Sequence, residues 1–514
     1  MTHAHTLAWF ARHEINLAWR DWAAMMAGGR TARERIVTLF VLAFVAGLHW
    51  FAYLVLSPLL ASGVKPDGAT LIVLTATMAT TFSMMLSQAI EHVTRAFYAR
   101  ADLDLILSSP APAQHLFAVR IVAISATSAL MTWTLIAPFL NMAILIDGPR
   151  WLAGYVVIAA MSAIATALAL VASMVLFKML GPKVTRLIAQ ITAAVVGASL
   201  IIALQIAAVL MYDNFSRMAV LQSPLVQSLA PAPDSLFWLP AHALLGDWHA
   251  ALLMMAAAFG ILTLAIAYYA PRFSDHAVAA AGVSDDAEVV NGGARERRFI
   301  RRSTAQALRH KEWMLLARDP WLISQTLMQI LYLIPAALLL YKDLRADQSV
   351  DVILAPVLVM AFGQLAGGLS WLALSGEDAH DLVSTAPLSP RQQLRAKVEA
   401  VLTVIAAGSA PFVLALAFSS TWGALVSAVG IALAGGASII IQMWFKVAAK
   451  RSLFRRRQVA SRSATFCEAF SSIFWAGAAG FAANESWFAA FFIVLALLTL
   501  ALAWVIRPRE AKSA

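Results

Sequence analysis

Apolar runs of roughly 20 residues recur from one end of this sequence to the other, and a helix of that length crosses a hydrocarbon core of about 30 Å. Twelve such segments are legible. The first six lie near 36–58, 69–90, 121–146, 151–177, 187–211 and 249–270, and the second six near 321–341, 352–374, 398–419, 422–446, 464–483 and 487–506. The third and fourth are parted only by Asp147, Gly148, Pro149 and Arg150, a turn-forming cluster that divides two helices rather than continuing one. With 61% hydrophobic and 13% charged residues, about half the usual charge of a soluble domain, the chain is not a water-soluble globular enzyme.

The basic residues orient these segments. When both termini are placed in the cytoplasm, all but five of the 38 Lys and Arg fall on the inner side, the exceptions being Lys65, Arg150, Arg217, Lys342 and Arg345. A missed or invented span would invert every later loop and erase that asymmetry. The formal charge of +10 is therefore read as topogenic, facing anionic inner-leaflet lipid, and not as a nucleic-acid patch. Arg12, Arg20, Arg30, Arg33 and Arg35 come before any apolar core, so no cleavable signal is expected. The single cysteine, Cys467, excludes an internal disulfide and any multi-cysteine metal site.

Matching features occur in the same order in both parts of the chain. His13-Glu14 and then Arg20-Asp21 precede the first segment; Lys311-Glu312 and, at the same spacing, Arg318-Asp319-Pro320 precede the seventh. Asp104-Leu105-Ile106-Leu107-Ser108-Ser109-Pro110, with Arg120 beyond, lies between the second and third segments. Asp381-Leu382-Val383-Ser384-Thr385-Ala386-Pro387, with Lys397 at the same distance, lies between the eighth and ninth. The stretch Leu262 to Tyr268 likewise matches Leu498 to Trp504. The offset between partners falls along the chain, so the second part has lost loop residues, chiefly a counterpart to the stretch between Tyr212 and Trp248. Six is an even number, which gives both parts the same orientation about an axis along the membrane normal. The expected fold is an all-α polytopic membrane protein of twelve transmembrane helices, arranged as two parallel six-helix repeats with interfacial helices before the first and seventh spans. Its expected organisation is a first half, 1–271, a cytoplasmic linker, 272–303, and a second half, 304–514.

The interfacial helices follow from composition. Residues 7–26 mix Leu7, Phe10, Trp19 and Trp22 with Arg12, Glu14, Arg20 and Asp21, too polar to span and too apolar to leave the bilayer. Residues 304–319 repeat the mixture with Leu308, Trp313 and Leu316 beside Arg309, Lys311, Glu312, Arg318 and Asp319, and Pro320 ends the helix. Their charges either anchor span ends at lipid headgroups or meet a partner. Leu105, Ile106, Leu382 and Val383 are apolar groups in inner loops, to be covered by neighbouring loops or by another protein.

These motifs resemble the membrane subunits of type-2 ABC exporters. The resemblance is carried by Lys311, Glu312, Arg318, Asp319 and Pro320 before a first span, by the Thr-Ala-Pro-Leu-Ser loop at 385–389, and by the outer segment Leu239 to Asp247. The first half departs from the pattern, with His13 for the lysine and Ser109-Pro110-Ala111-Pro112 for the loop. The resemblance implies a permease that exports a substrate using ATP and Mg held by a separate ATP-binding subunit, two copies per chain, in a plasma membrane, the bacterial inner membrane. It assigns ATPase coupling to Asp104, Leu105, Ile106, Pro110, Arg120, Asp381, Leu382, Val383, Pro387 and Lys397. It also brings Gln88, Gln190, Gln205, Gln364 and Glu468 near a pathway, where the alternative for each is an ordinary interhelical hydrogen bond.

No glycine is followed directly by lysine, so a phosphate-binding loop has no candidate and the chain itself is expected to be neither an ATPase nor another enzyme. His49 is expected to be a packed or pore-lining residue and not a metal ligand. Gly363 and Gly367 fit close helix packing. The rival class is a major-facilitator-like secondary transporter, which needs ionisable groups deep in the bilayer. The acids near the membrane, Asp351, Glu399 and Glu468, are instead expected to reach for the interface from span ends.

Overall fold

The computed structural model describes residues 31–61, 63–64, 66–98, 113–212, 216–272, 303–317, 331–342, 351–375, 387–445 and 462–507, with isolated positions 12, 16, 329 and 385. Every regular element among them is a helix, as expected where lipid offers the backbone no hydrogen-bond partner. Ten helices are long and apolar enough to cross a membrane by length and composition, and these fit a multi-pass membrane protein. They fall on ten of the expected segments; the other two hold the shorter apolar helices Val45–Ala61 and Leu331–Lys342. The chain divides into two compact units, residues 1–289 and 290–514, the division lying within the 272–303 stretch.

The first unit contains α1 (Thr31–Ala61), α2 (Gly68–Tyr98), α3 (Ala113–Asp147), α4 (Ala153–Tyr212), the short α5 (Arg217–Leu221), α6 (Pro224–Leu229) and α7 (Leu239–Leu244), and α8 (Trp248–Tyr269). The stretch 178–186 between the fourth and fifth expected segments is helical on both sides of a single break, so α4 carries both segments in succession. The break is Gly181, at φ 71 and ψ 171, a conformation that costs glycine little, followed by Pro182. Thr185 Oγ1 donates across it to the Gly181 and Leu176 carbonyls at 2.6 and 3.1 Å. Packing of α2 on α4 is close: the Ser83 hydroxyl donates to the Val196 carbonyl, and a Cβ on Gly197 would lie 2.8 Å from Ser87 Oγ.

Between α4 and α8 the connecting segment is pinned by Trp238. Its side chain is buried among Leu71, Ile72 and Ala241, and its indole N–H donates to the carbonyls of Pro231 and Ala232 at 3.2 and 3.1 Å. Gly246, at φ 104, turns the chain against Arg150, and Asp247 then caps α8 by accepting from the His249 and Ala250 amides.

The second unit contains α9 (Thr304–Ala317), α10 (Leu331–Lys342), α11 (Asp351–Ser375), α12 (Pro390–Ser419), α13 (Thr421–Trp444), α14 (Arg462–Ala483) and α15 (Phe488–Ile506). Helices α11, α13 and α14 meet through small residues. Gly363 abuts Ala434 and Ser472, Gly367 abuts the Glu468 carboxyl, and Ser438 Oγ donates to the Gly363 carbonyl at 3.1 Å. That contact accounts for the Gly363 and Gly367 spacing. A side chain on Gly367 has nowhere to go, so Gly367→Leu is expected to lower stability by about 1–3 kcal/mol. Gly436→Leu, where nothing lies within 4 Å of a Cβ, is expected to stay within about 0.5 kcal/mol. Thermal unfolding of the two purified variants in detergent makes the comparison.

Candidate functional site

The best-built polar arrangement joins α9 to the C-terminal end of α11 and the N-terminal end of α12. Both α9 and α12 begin with a serine and a glutamine in reciprocal capping. Ser303 pairs with Gln306, and Ser389 with Gln392, so each start is fixed by local sequence. Pro390 then supplies the first helical position of α12. Along α9, Leu308, Glu312 and Leu316 fall on one inward face, a stripe at helical spacing with a carboxylate in its middle. Glu312 is only 3% exposed and Leu316 4%.

A carboxylate so buried needs compensation. Glu312 Oε1 lies 3.3 Å from Lys311 Nζ and 3.5 Å from Lys397 Nζ. Lys397, itself buried on α12, also donates from Nζ to the Ala373 carbonyl at 2.6 Å. Ala373 lies in the last turn of α11, where carbonyls lack helical partners and the helix dipole favours a cation. One ammonium therefore ties the end of α11, the body of α12 and the amphipathic α9 together. It closes the base of the 376–389 segment. A second rung lies at the rim, where Glu399 receives Arg309 from α9 at 3.3 Å and Arg395 from its own helix at 2.6 Å. The rung is far more exposed than the Glu312 pair and adds little to stability.

Of the residues expected to couple or anchor, Lys311, Glu312 and Lys397 are brought together here, and Pro387 is exposed between α11 and α12. Arg120 stands at the eighth position of α3, as Lys397 does of α12, and is buried at 3% exposure. Glu14, Arg20, Asp21, Asp104, Leu105, Ile106, Pro110, Arg318, Asp319, Asp381, Leu382 and Val383 lie outside the described residues. The pathway set is not gathered. Gln88 and Gln364 lie on exposed faces, Gln190 and Gln205 are half-buried on α4, and Glu468 is buried against Gly367.

Two acids depart from the expectation of reaching for headgroups. Asp351 is buried and accepts from Ser420 Oγ at 2.8 Å, which fastens α11 to the start of α13; Glu468 faces inward because the facing position is a glycine. Only Glu399 stays at a rim. Sequence reasoning named Arg309 on the interfacial helix but missed its partner, and it missed Arg395 and the Ala373 carbonyl altogether. Arg395 and Glu399 were detectable as an i,i+4 pair, whereas the other contacts join residues far apart in the chain. Among the described residues no cluster of His, Cys, Asp and Glu could hold a metal ion.

No protein-family model, no curated protein and no solved structure matches the chain.

Removing one partner of the buried pair weakens the compensation of the other, although Lys311 still faces Glu312 and the Ala373 carbonyl still accepts from Lys397. Glu312→Gln or Lys397→Met alone is therefore expected to cost about 1–3 kcal/mol, and the double substitution less than the sum. Arg395→Ala, in a side chain 82% exposed, is expected to cost under about 1 kcal/mol. A double-mutant cycle of unfolding midpoints tests all three.

Proposed function

We propose that this chain is the permease subunit of an ATP-binding-cassette exporter: twelve spans in two parallel six-span halves, both termini cytoplasmic, in a bacterial inner membrane. It moves its substrate outward using ATP hydrolysed by a separate subunit, which binds at two copies per chain because each half offers one docking loop. ATP and Mg belong to that subunit. The observation that carries the reading is the Glu312, Lys397 and Ala373 clamp. A force applied to the 376–389 segment meets α11, α12 and α9 as one fastened group. It is therefore delivered to two spans and an amphipathic helix at once, instead of being absorbed in a loose loop. The buried cation at the same position of α3, Arg120, supports a second such base in the first half. Alternating access follows when closure of the two ATPase subunits pushes both loops and the halves rock.

A major-facilitator-like carrier is the second reading, and the buried Glu468 favours it, since ion coupling uses carboxylates inside the helix packing. Mild-detergent purification of the tagged chain separates the two. The wild type is expected to bring an ATP-binding-cassette ATPase with it. Leu105→Asp with Leu382→Asp, which puts carboxylates into an apolar docking surface, is expected to reduce the recovered ATPase by about tenfold or more at unchanged membrane insertion. Absence of an ATPase from the wild type after cross-linking, or undiminished recovery with the variant, overturns the exporter reading.

A further inference from the structure

Inside the first unit a chain of hydrogen bonds joins three helices through side chains that neither the packing nor the proposed coupling requires. His49 on α1 bonds through Nδ1 to the Val45 carbonyl at 2.8 Å. Its Nε2 lies 3.3 Å from Asn141 Nδ2 on α3, and Asn141 Oδ1 accepts from the Tyr155 hydroxyl on α4 at 2.8 Å. All three side chains are half-buried. Tyr155 is held in place independently: its carbonyl accepts from the Trp133 indole at 3.1 Å, and the two rings meet edge to face. Close approach of α3 and α4 at this level is enforced by Gly154, where a Cβ would lie 2.6 Å from Leu140.

The Val45 carbonyl fixes the direction of the whole chain. A carbonyl can only accept, so Nδ1 carries the proton and Nε2 of the neutral ring is an acceptor. Asn141 must then present its NH2 to the ring and its oxygen to Tyr155, which donates. A proton arriving at Nε2 leaves the Val45 link as it is and reverses the two links beyond the ring. The ring becomes a donor on both nitrogens, the amide must turn its oxygen to the ring, and its NH2 then faces Tyr155, whose oxygen becomes the acceptor. The ring and the amide keep their bonds in both states, while the Tyr155 hydroxyl proton turns away from Asn141 in the second. Each state has one consistent arrangement, and the two differ by a half-turn of one amide.

We propose that His49, Asn141 and Tyr155 form a proton-binding relay, in which one proton from water, taken up at His49 Nε2, turns the Asn141 amide and changes Tyr155 from donor to acceptor. The titratable and charged groups on the described elements around it are Tyr53, one turn along α1, Tyr155 itself, and Asp147 and Arg150 near the outer end. Asp147 is engaged by Arg150 and by the Trp151 indole at 2.9 Å. No carboxylate among the described residues bonds to the ring, so its charge is met by the turned amide oxygen and not by an ion pair.

Nitrogen-15 NMR of the full chain in lipid vesicles tests this, with the His49 signals assigned by their loss in His49→Gln and the Asn141 signals by their loss in Asn141→Leu. The neutral ring is expected to carry its proton on Nδ1, and the Asn141 side-chain signals are expected to move at the same midpoint as the ring on acidification. Asn141→Asp, which sets a carboxylate beside Nε2, is expected to let the ring take up its proton at an about tenfold or more lower proton concentration. A neutral ring protonated on Nε2 overturns the proposal. So does an Asn141 amide unmoved through the titration, a ring that takes up no proton while the chain remains folded, or an Asn141→Asp midpoint equal to wild type.

Discussion

A solvent that offers no hydrogen bonds governs this molecule. Within a hydrocarbon core each peptide group must be satisfied by its own segment, and this is why the long apolar elements are helices. The same absence removes the hydrophobic drive between helices, so contact has to come from close approach and shared polar groups. Gly363, Gly367, Gly154 and Gly197 provide the first; Ser438 on the Gly363 carbonyl and Ser420 on Asp351 provide the second.

The charge clamp follows from the same constraint at the ends of the long helices. A carboxylate buried on an amphipathic helix is tolerable only with a cation close by, and Lys397 supplies it while also satisfying a carbonyl at the end of α11. The clamp selects an arrangement more than it stabilises one, because each partner is costly without the other. A fixed triangle of α9, α11 and α12 is the mechanical property that an energy-transmitting base requires.

Much of this was legible in the sequence, because hydropathy and length alone locate helices. Ten of the expected segments carry long apolar helices, within a few residues of the expected bounds at most ends. The amphipathic character of residues 304–317 was also readable, and Lys311, Glu312 and Lys397 were singled out before their contacts were visible. That Glu312 and Lys397 face each other was not, since their pairing depends on how α9 lies against α12. The gap between the segments at 151–177 and 187–211 leaves 178–186 unassigned by hydropathy, whereas in the structure helix continues on either side of a single break at Gly181. Asp351 and Glu468 were read as interfacial from their places near span ends. Burial was decided by what stood opposite, a serine for Asp351 and a glycine for Glu468, and that is tertiary information.

The claim on which the functional account rests is that both halves enter the membrane in the same orientation, so that residues 104–110 and 381–387 face one compartment. Single cysteines placed in a Cys467→Ser background, with a membrane-impermeant thiol reagent applied to intact cells and then to inverted vesicles, test it directly. Ser109→Cys and Ser384→Cys are expected to react only in inverted vesicles, and Ala232→Cys and Asn484→Cys only in intact cells. Labelling of Ser109→Cys and Ser384→Cys from opposite sides would contradict the parallel arrangement, and with it the docking of two identical ATPase subunits.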